Sequence, residues 1–175
     1  MKKLLIFLFL ILTITGCAKD NTPTKEVQKL FSNYNNLSSD LLIQLDSVME
    51  SENLSDAQIK KYKEVLKRQY KDLKYKINDE IISNDTAIVS TEVEVYDLSK
   101  VIEDADEYLK NNKDKFYNEE KLDNEKFWNY KLDKMLEANE RINYTVDFSL
   151  TKLDGKWILD ELLEIDRQKL HGLYK

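Results

Sequence analysis

Apolar residues in this chain follow three kinds of spacing, and each predicts a different element. Leu4 to Leu12 are nine unbroken apolar positions behind Lys2 and Lys3. Beyond them the spacing turns helical. Val27, Leu30, Phe31 and Tyr34 recur at i, i+3, i+4 and i+7 and predict a helix over 24–36 with one apolar stripe. Leu41, Leu42, Leu45, Val48 and Met49 repeat the pattern behind Ser39, read as its N-cap. Ser55 and Gln58 have capping-box spacing, Leu54 is placed to staple onto Ile59, and the stripe runs on through Tyr62, Val65, Leu66 and Tyr70.

From Asp72 the period shortens to two. Leu73, Tyr75 and Ile77 alternate with Lys74, Lys76 and Asn78; after "SNDT" the apolar set resumes as Val89, Thr91, Val93 and Val95. This predicts an antiparallel hairpin of two half-buried strands. Helical spacing returns in Leu98, Val101, Ile102, Ala105, Tyr108 and Leu109, breaks around 111–114, and resumes from about Asp123 with Phe127, Trp128, Leu132, Met135 and Leu136. A second hairpin closes the chain. Ile142, Tyr144, Val146, Phe148 and Leu150 alternate with polar residues, Asp154-Gly155 supplies the turn, and Trp157, Ile158, Leu159 and Leu162 return before a short tail. Two hairpins with one apolar face need a cover, and the amphipathic helices supply it. The expected class is therefore α+β: a helical N-terminal lead, then a four-stranded antiparallel sheet packed on helices.

The opening run changes the account of the first residues. It is shorter than the roughly 20 apolar residues of a spanning helix, and its charged start and small-residue end are those of a secretory signal peptide. Ile14-Thr15-Gly16-Cys17 resembles the bacterial lipobox. That resemblance implies a diacylglyceryl group on the Cys17 thiol and cleavage before it. Cys17 would then be the mature N-terminus, anchored in the cell membrane on its extracytoplasmic face. The expected organisation is a cleaved leader over 1–16, a lipidated tether over 17–24 carrying the one proline, and a single domain over 25–175. Removing 16 of the 175 residues leaves 159, enough for one domain with its own core.

Composition narrows the partners. The leader carries Lys2 and Lys3 and no acid, so the net charge of −6 becomes about −8 in the mature chain. An acidic body is repelled by phosphate backbones, and no nucleic-acid partner is expected. One cysteine allows no internal disulfide.

The element order, together with "YKDLKYKI", "AIVSTEVEVYDLS", "YTVDFSLTKLDGKWILDEL" and "KLHGLY", is similar to that of small lipoproteins of low-GC bacteria with a nuclear-transport-factor-2-like (cystatin-like) domain. The resemblance implies a curved sheet wrapped round helices as a cone, often with a cavity at its wide end. Tyr75, Trp128, Tyr144, Phe148 and Trp157 are placed by phase on buried faces, and such rings line a ligand cavity or simply fill a core. Thr91, the polar member of an apolar strand face, marks a cavity wall or is a β-former with a satisfied hydroxyl.

Chemistry is sparse. His171, the single histidine, is expected to be solvated or packed in the tail, and the acids Glu103, Asp104, Asp106 and Glu107 fall on a solvated helix face, so no metal is expected. The chain has neither the glycines of a phosphate cradle nor a nucleophile elbow, and no cofactor is implied. The remaining enzymatic route is a buried carboxylate acting as general base inside the cone. Asp147 is out of phase with the apolar set, while Asp97 and Asp160 are read as caps or turn residues. The expected function is thus a non-catalytic binding module, recognising a small ligand in the cone or an envelope protein on its outer surface. The alternatives are a small carboxylate enzyme and a purely structural envelope component.

Overall fold

A computed structural model of the chain describes residues 21–50 and 54–175. The leader, Cys17 and the tether residues up to 20 lie outside the described residues. The first helix, α1 (Pro23–Asn35), starts inside the stretch read as tether. Thr22 is its N-cap, accepting from the Lys25 N–H at 3.3 Å, and Pro23 takes the first turn, where its fixed φ suits the helix and its missing N–H costs nothing. Asn21 is tied down as well. Its side chain donates to the Trp157 carbonyl at 3.1 Å and accepts from the Trp157 N–H. Residues 21–24, read as tether, are therefore part of the folded body.

Helix α2 (Ser39–Glu50) is capped one residue earlier than expected: the Leu41 N–H donates to Ser38 Oγ at 3.3 Å. Leu41 and Leu45 are buried, while the side chains of Val48 and Met49 lie outside those described. Helix α3 (Asp56–Asp72) opens on the anticipated capping box. Gln58 N–H donates to Ser55 Oγ and Ser55 N–H to Gln58 Oε1.

Strands β1 (Lys74–Ser83) and β2 (Thr86–Tyr96) follow, then α4 (Leu98–Asn111), capped by Asp97 through the Lys100 N–H. The polar break folds into a short helix, α5 (Lys113–Phe116), and a minimal hairpin of β3 (Tyr117–Asn118) and β4 (Lys121–Leu122). Helix α6 (Asn124–Glu137), capped by Asp123, leads into β5 (Arg141–Leu153) and β6 (Lys156–Leu159). The expected tail contains one more helix, α7 (Glu164–Leu170).

The main sheet is antiparallel in the order β1-β2-β5-β6, and helices pack on it as the α+β reading requires. Register places Tyr75, Val93 and Tyr144 in one row across its inner face. Ile77, Thr91 and Val146 form the next, then Glu80, Val89 and Phe148, then Ile82, Ala87 and Leu150. Val89, Val93, Val146, Phe148 and Leu150 are buried there against Val27, Phe31, Leu66 and Tyr70 of α1 and α3. On the opposite face Ile88, Asp147 and Ser149 are exposed.

β1 is not half-buried as its alternation suggests; every position but Ile77 is exposed. It is an edge strand with a bulge, since Ile77 pairs with Thr91 and Asp79 with Ser90, leaving Asn78 over. That extra residue shifts the phase midway. The bulge and the charges of Lys74, Lys76, Asp79 and Glu80 blunt an edge that would otherwise recruit another strand. A second aromatic cluster lies between α4, α5 and α6, where Phe116 meets Phe127 at 5.4 Å and Tyr130 at 5.3 Å, and Tyr130 stacks on Tyr108 at 5.0 Å.

Candidate functional site

Tyr75, Thr91, Tyr144, Phe148 and Trp157 all project from the inner face of the sheet, as their phase requires. Trp128 does not join them. It stands on α6, 37% exposed, with Lys131 5.5 Å from its ring, because a residue directly after Phe127 is turned about 100° from it around the helix. Tyr75 is also less enclosed than expected, being on the edge strand, yet one face of its ring is covered.

The cover is Phe31 of α1, which is 0% exposed. Its ring stacks on Tyr75 at 4.2 Å and meets Phe148 edge-on at 5.5 Å, filling the space between two residues expected to line a cavity. Phe31 also meets Tyr34 at 6.4 Å, Tyr34 stacks on Tyr70 at 4.8 Å, and Tyr70 Oη is hydrogen-bonded to His171 Nε2 at 2.7 Å. A continuous line of rings thus runs from the edge of the sheet through α1 and α3 to the C-terminal segment. His171 is buried within it, not solvated.

Burial sets the chemistry of that line. It raises the Tyr34 and Tyr70 phenols well above their usual range, with each other's proximity adding to the shift at Tyr34. Burial, and then the Arg167 guanidinium, push the His171 imidazole down to about 4. At neutral pH the phenols keep their protons and the imidazole carries no charge, so the line offers hydrogen bonds and dispersion in place of ionic chemistry. The carboxylates stay apart from it. Asp147 is exposed, Asp97 caps α4, and Asp160 accepts from Thr151 Oγ1 at 3.2 Å. Asp166, buried on α7, pairs with Lys169 at 3.3 Å. Among the described residues no group of three or more His, Cys, Asp or Glu could hold a metal ion.

Thr91 is 0% exposed, and its Oγ1 has no hydrogen-bond partner among the described residues. An unmet buried hydroxyl costs roughly 1–3 kcal/mol, and an apolar group of the same shape removes that cost. Thr91→Val is therefore expected to raise the unfolding free energy by about 1–2 kcal/mol, read as a higher urea midpoint at an unchanged slope. A lower midpoint would show that the hydroxyl has a partner.

The C-terminal segment is latched beside this line. Gln69 Nε2 donates to the Tyr96 carbonyl at 3.1 Å and Gln69 Oε1 accepts from the Tyr96 N–H at 2.9 Å, so one buried amide copies a strand neighbour at the end of β2. Gly172, at φ +68°, lies against the same carbonyl. A Cβ there would be 1.9 Å from Tyr96 O. The Ser99 N–H donates to the Gly172 carbonyl, and Tyr144 Oη to that of Tyr174.

Compared with known proteins, no family model matches the chain, and neither a curated protein nor a solved structure matches it.

Proposed function

We propose that the mature chain begins at a diacylglyceryl-modified Cys17, is held on the extracytoplasmic face of the cell membrane, and acts there as a non-catalytic interaction module that recognises its partner on its outer surface. The observation that carries the second half is Phe31, which closes the interior between Tyr75 and Phe148 and leaves recognition to the outer face of the sheet, where Ile88, Asp147 and Ser149 are exposed. The four-stranded antiparallel sheet packed on helices supports the resemblance to nuclear-transport-factor-2-like lipoproteins, which remains part of this reading. No cofactor, metal or catalytic step enters it.

A membrane anchor of this kind needs nothing from the folded body. Each buried methylene contributes about 0.8 kcal/mol, one acyl chain binds marginally, and two chains hold stably. Among the described residues no helix is long and apolar enough to cross a membrane. Mass spectrometry of the native protein should find residues 1–16 removed and Cys17 carrying a diacylglyceryl group, and Cys17→Ser should move the protein out of the membrane fraction. An unmodified Cys17 with the leader attached overturns the reading.

A second reading, a small ligand held inside the cone, is favoured by the unmet hydroxyl of Thr91. It requires small apolar compounds to raise the unfolding temperature of the purified domain. If none does, while the lipid-anchored protein brings an envelope protein with it from solubilised membranes, the outer surface is the site.

A further inference from the structure

Four of the large apolar side chains left exposed gather at one end of the main sheet: Ile81 at 61%, Ile82 at 52%, Ile88 at 45% and Leu153 at 54%. Ile81 and Ile88 are cross-strand partners on the outer face. Leu153 borders the β5–β6 turn on that face, and half-buried Ile158, opposite Thr151, lies nearby. Ile82 emerges from the inner face of the same end. An exposed patch this apolar calls for an occupant.

The path of the chain identifies it. Asn21 is bonded to the Trp157 backbone, Trp157 pairs with Lys152, and the Lys152 N–H donates to the Asp85 carbonyl in the β1–β2 turn. Thr24 then bonds Glu80 through both its N–H and its hydroxyl. The first described residues therefore cross the end of the sheet that carries the patch. Four peptide steps separate Asn21 from Cys17, a reach of at most roughly 14 Å. From Leu153 to Arg141 the sheet runs about 40 Å, so this tether cannot bring the far end to the lipid surface. Charge permits the approach. Residues 81–88 and 151–158 carry Lys152 and Lys156 against Asp85 and Asp154, so this end is spared the acidic excess of the whole chain.

We infer that this end of the sheet is a membrane-contact surface: Ile81, Ile88 and Leu153 rest in the interface of the phospholipid bilayer that holds Cys17 and set the body upright on it. The inference rests on the lipidated Cys17 proposed above. Its apolar side chains meet the headgroup boundary while the Arg141 end of β5 points away from the membrane.

The test uses the acylated full-length mature chain in vesicles of phosphatidylcholine and phosphatidylglycerol. With Cys17 blocked by its lipid, one engineered thiol can carry an environment-sensitive fluorophore, at Ser83→Cys beside the patch or at Asn143→Cys near the far end. The Ser83 probe should shift to the blue and be quenched by spin-labelled lipid, and the Asn143 probe should do neither. Ile81→Ser with Leu153→Ser should abolish both effects at Ser83 without lowering the unfolding temperature, since both side chains are exposed. Two probes that remain wet on vesicle-bound protein overturn the inference and leave the anchor standing. A Ser83 probe shielded without lipid quenching means that protein covers the patch, and also overturns it. An unacylated Cys17 in the mass spectrum brings down the anchor and the inference together.

Discussion

Phe31→Ala is expected to lower the unfolding free energy by about 3–5 kcal/mol, the range for removing a buried phenyl ring from a core that cannot collapse onto the gap. A domain of this size has roughly 5–15 kcal/mol in all, so the variant should unfold at a much lower urea concentration. Phe31 is fully buried and touches α1, β1 and β5 at once through Tyr34, Tyr75 and Phe148, and those neighbours hold each other apart. The void should be apolar, and dry apolar voids bind small aromatics. Benzene should therefore restore part of the variant's stability and leave the wild type unaffected. Stabilisation of the wild type by benzene would show that the inner layer is already open, and the cavity reading would replace the surface one.

Acidification from pH 7 to 4 should cost about 3 kcal/mol through His171 alone. In the folded chain its imidazole is held at about 4, against about 6.5 when exposed. Between those values the unfolded chain binds the extra proton and the folded chain does not, so stability falls as the pH falls. Its contribution is complete above about pH 6.5, declines through the window, and is lost below about 4. The two groups placed against the ring do not offset this: Tyr70 of α3 stays protonated, and Arg167 of α7 is itself positive. Denaturant titrations at pH 7, 5.5 and 4 measure the slope. His171→Phe should flatten it while costing about 1–3 kcal/mol at pH 7, because Tyr70 Oη loses a buried partner. An unchanged slope in the variant would assign the acid sensitivity elsewhere.

What the sequence reveals of this fold is decided by which forces act locally. The capping box at Ser55 and Gln58 and the alternation of β2 and β5 are contained within a few consecutive residues, and each has the structural result that its pattern implies. β1 misleads because Asn78 inserts one residue midway, so the apolar phase before the bulge says nothing about Ile81 and Ile82 after it. Trp128 misleads because an apolar residue on a helix reads as part of the stripe until packing shows where the stripe ends. Helix α7 had a readable signal. Gly172 N–H bonds the Lys169 carbonyl and Leu173 N–H that of Gln168, the paired bonds of a left-handed helix stop at glycine, so the glycine after "DRQKLH" marked a helix end. The burial of His171 had none, since the ring it meets lies 101 positions away in the chain. For the candidate site the phase of the strands placed five of six residues on the right face. It could not show that Phe31 would come between them, because that depends on how α1 crosses the sheet.

The Gly172 latch also imposes an order of events. Leu170, His171 and Gly172 are buried, with Leu170 in the main core, and they follow every strand of the main sheet in the chain. Until they arrive, Gln69 and Tyr96 lack their final neighbour and the line of rings has no terminus. The strands and helices before it therefore leave the core unfinished, and the fold is closed by the segment that follows its last strand.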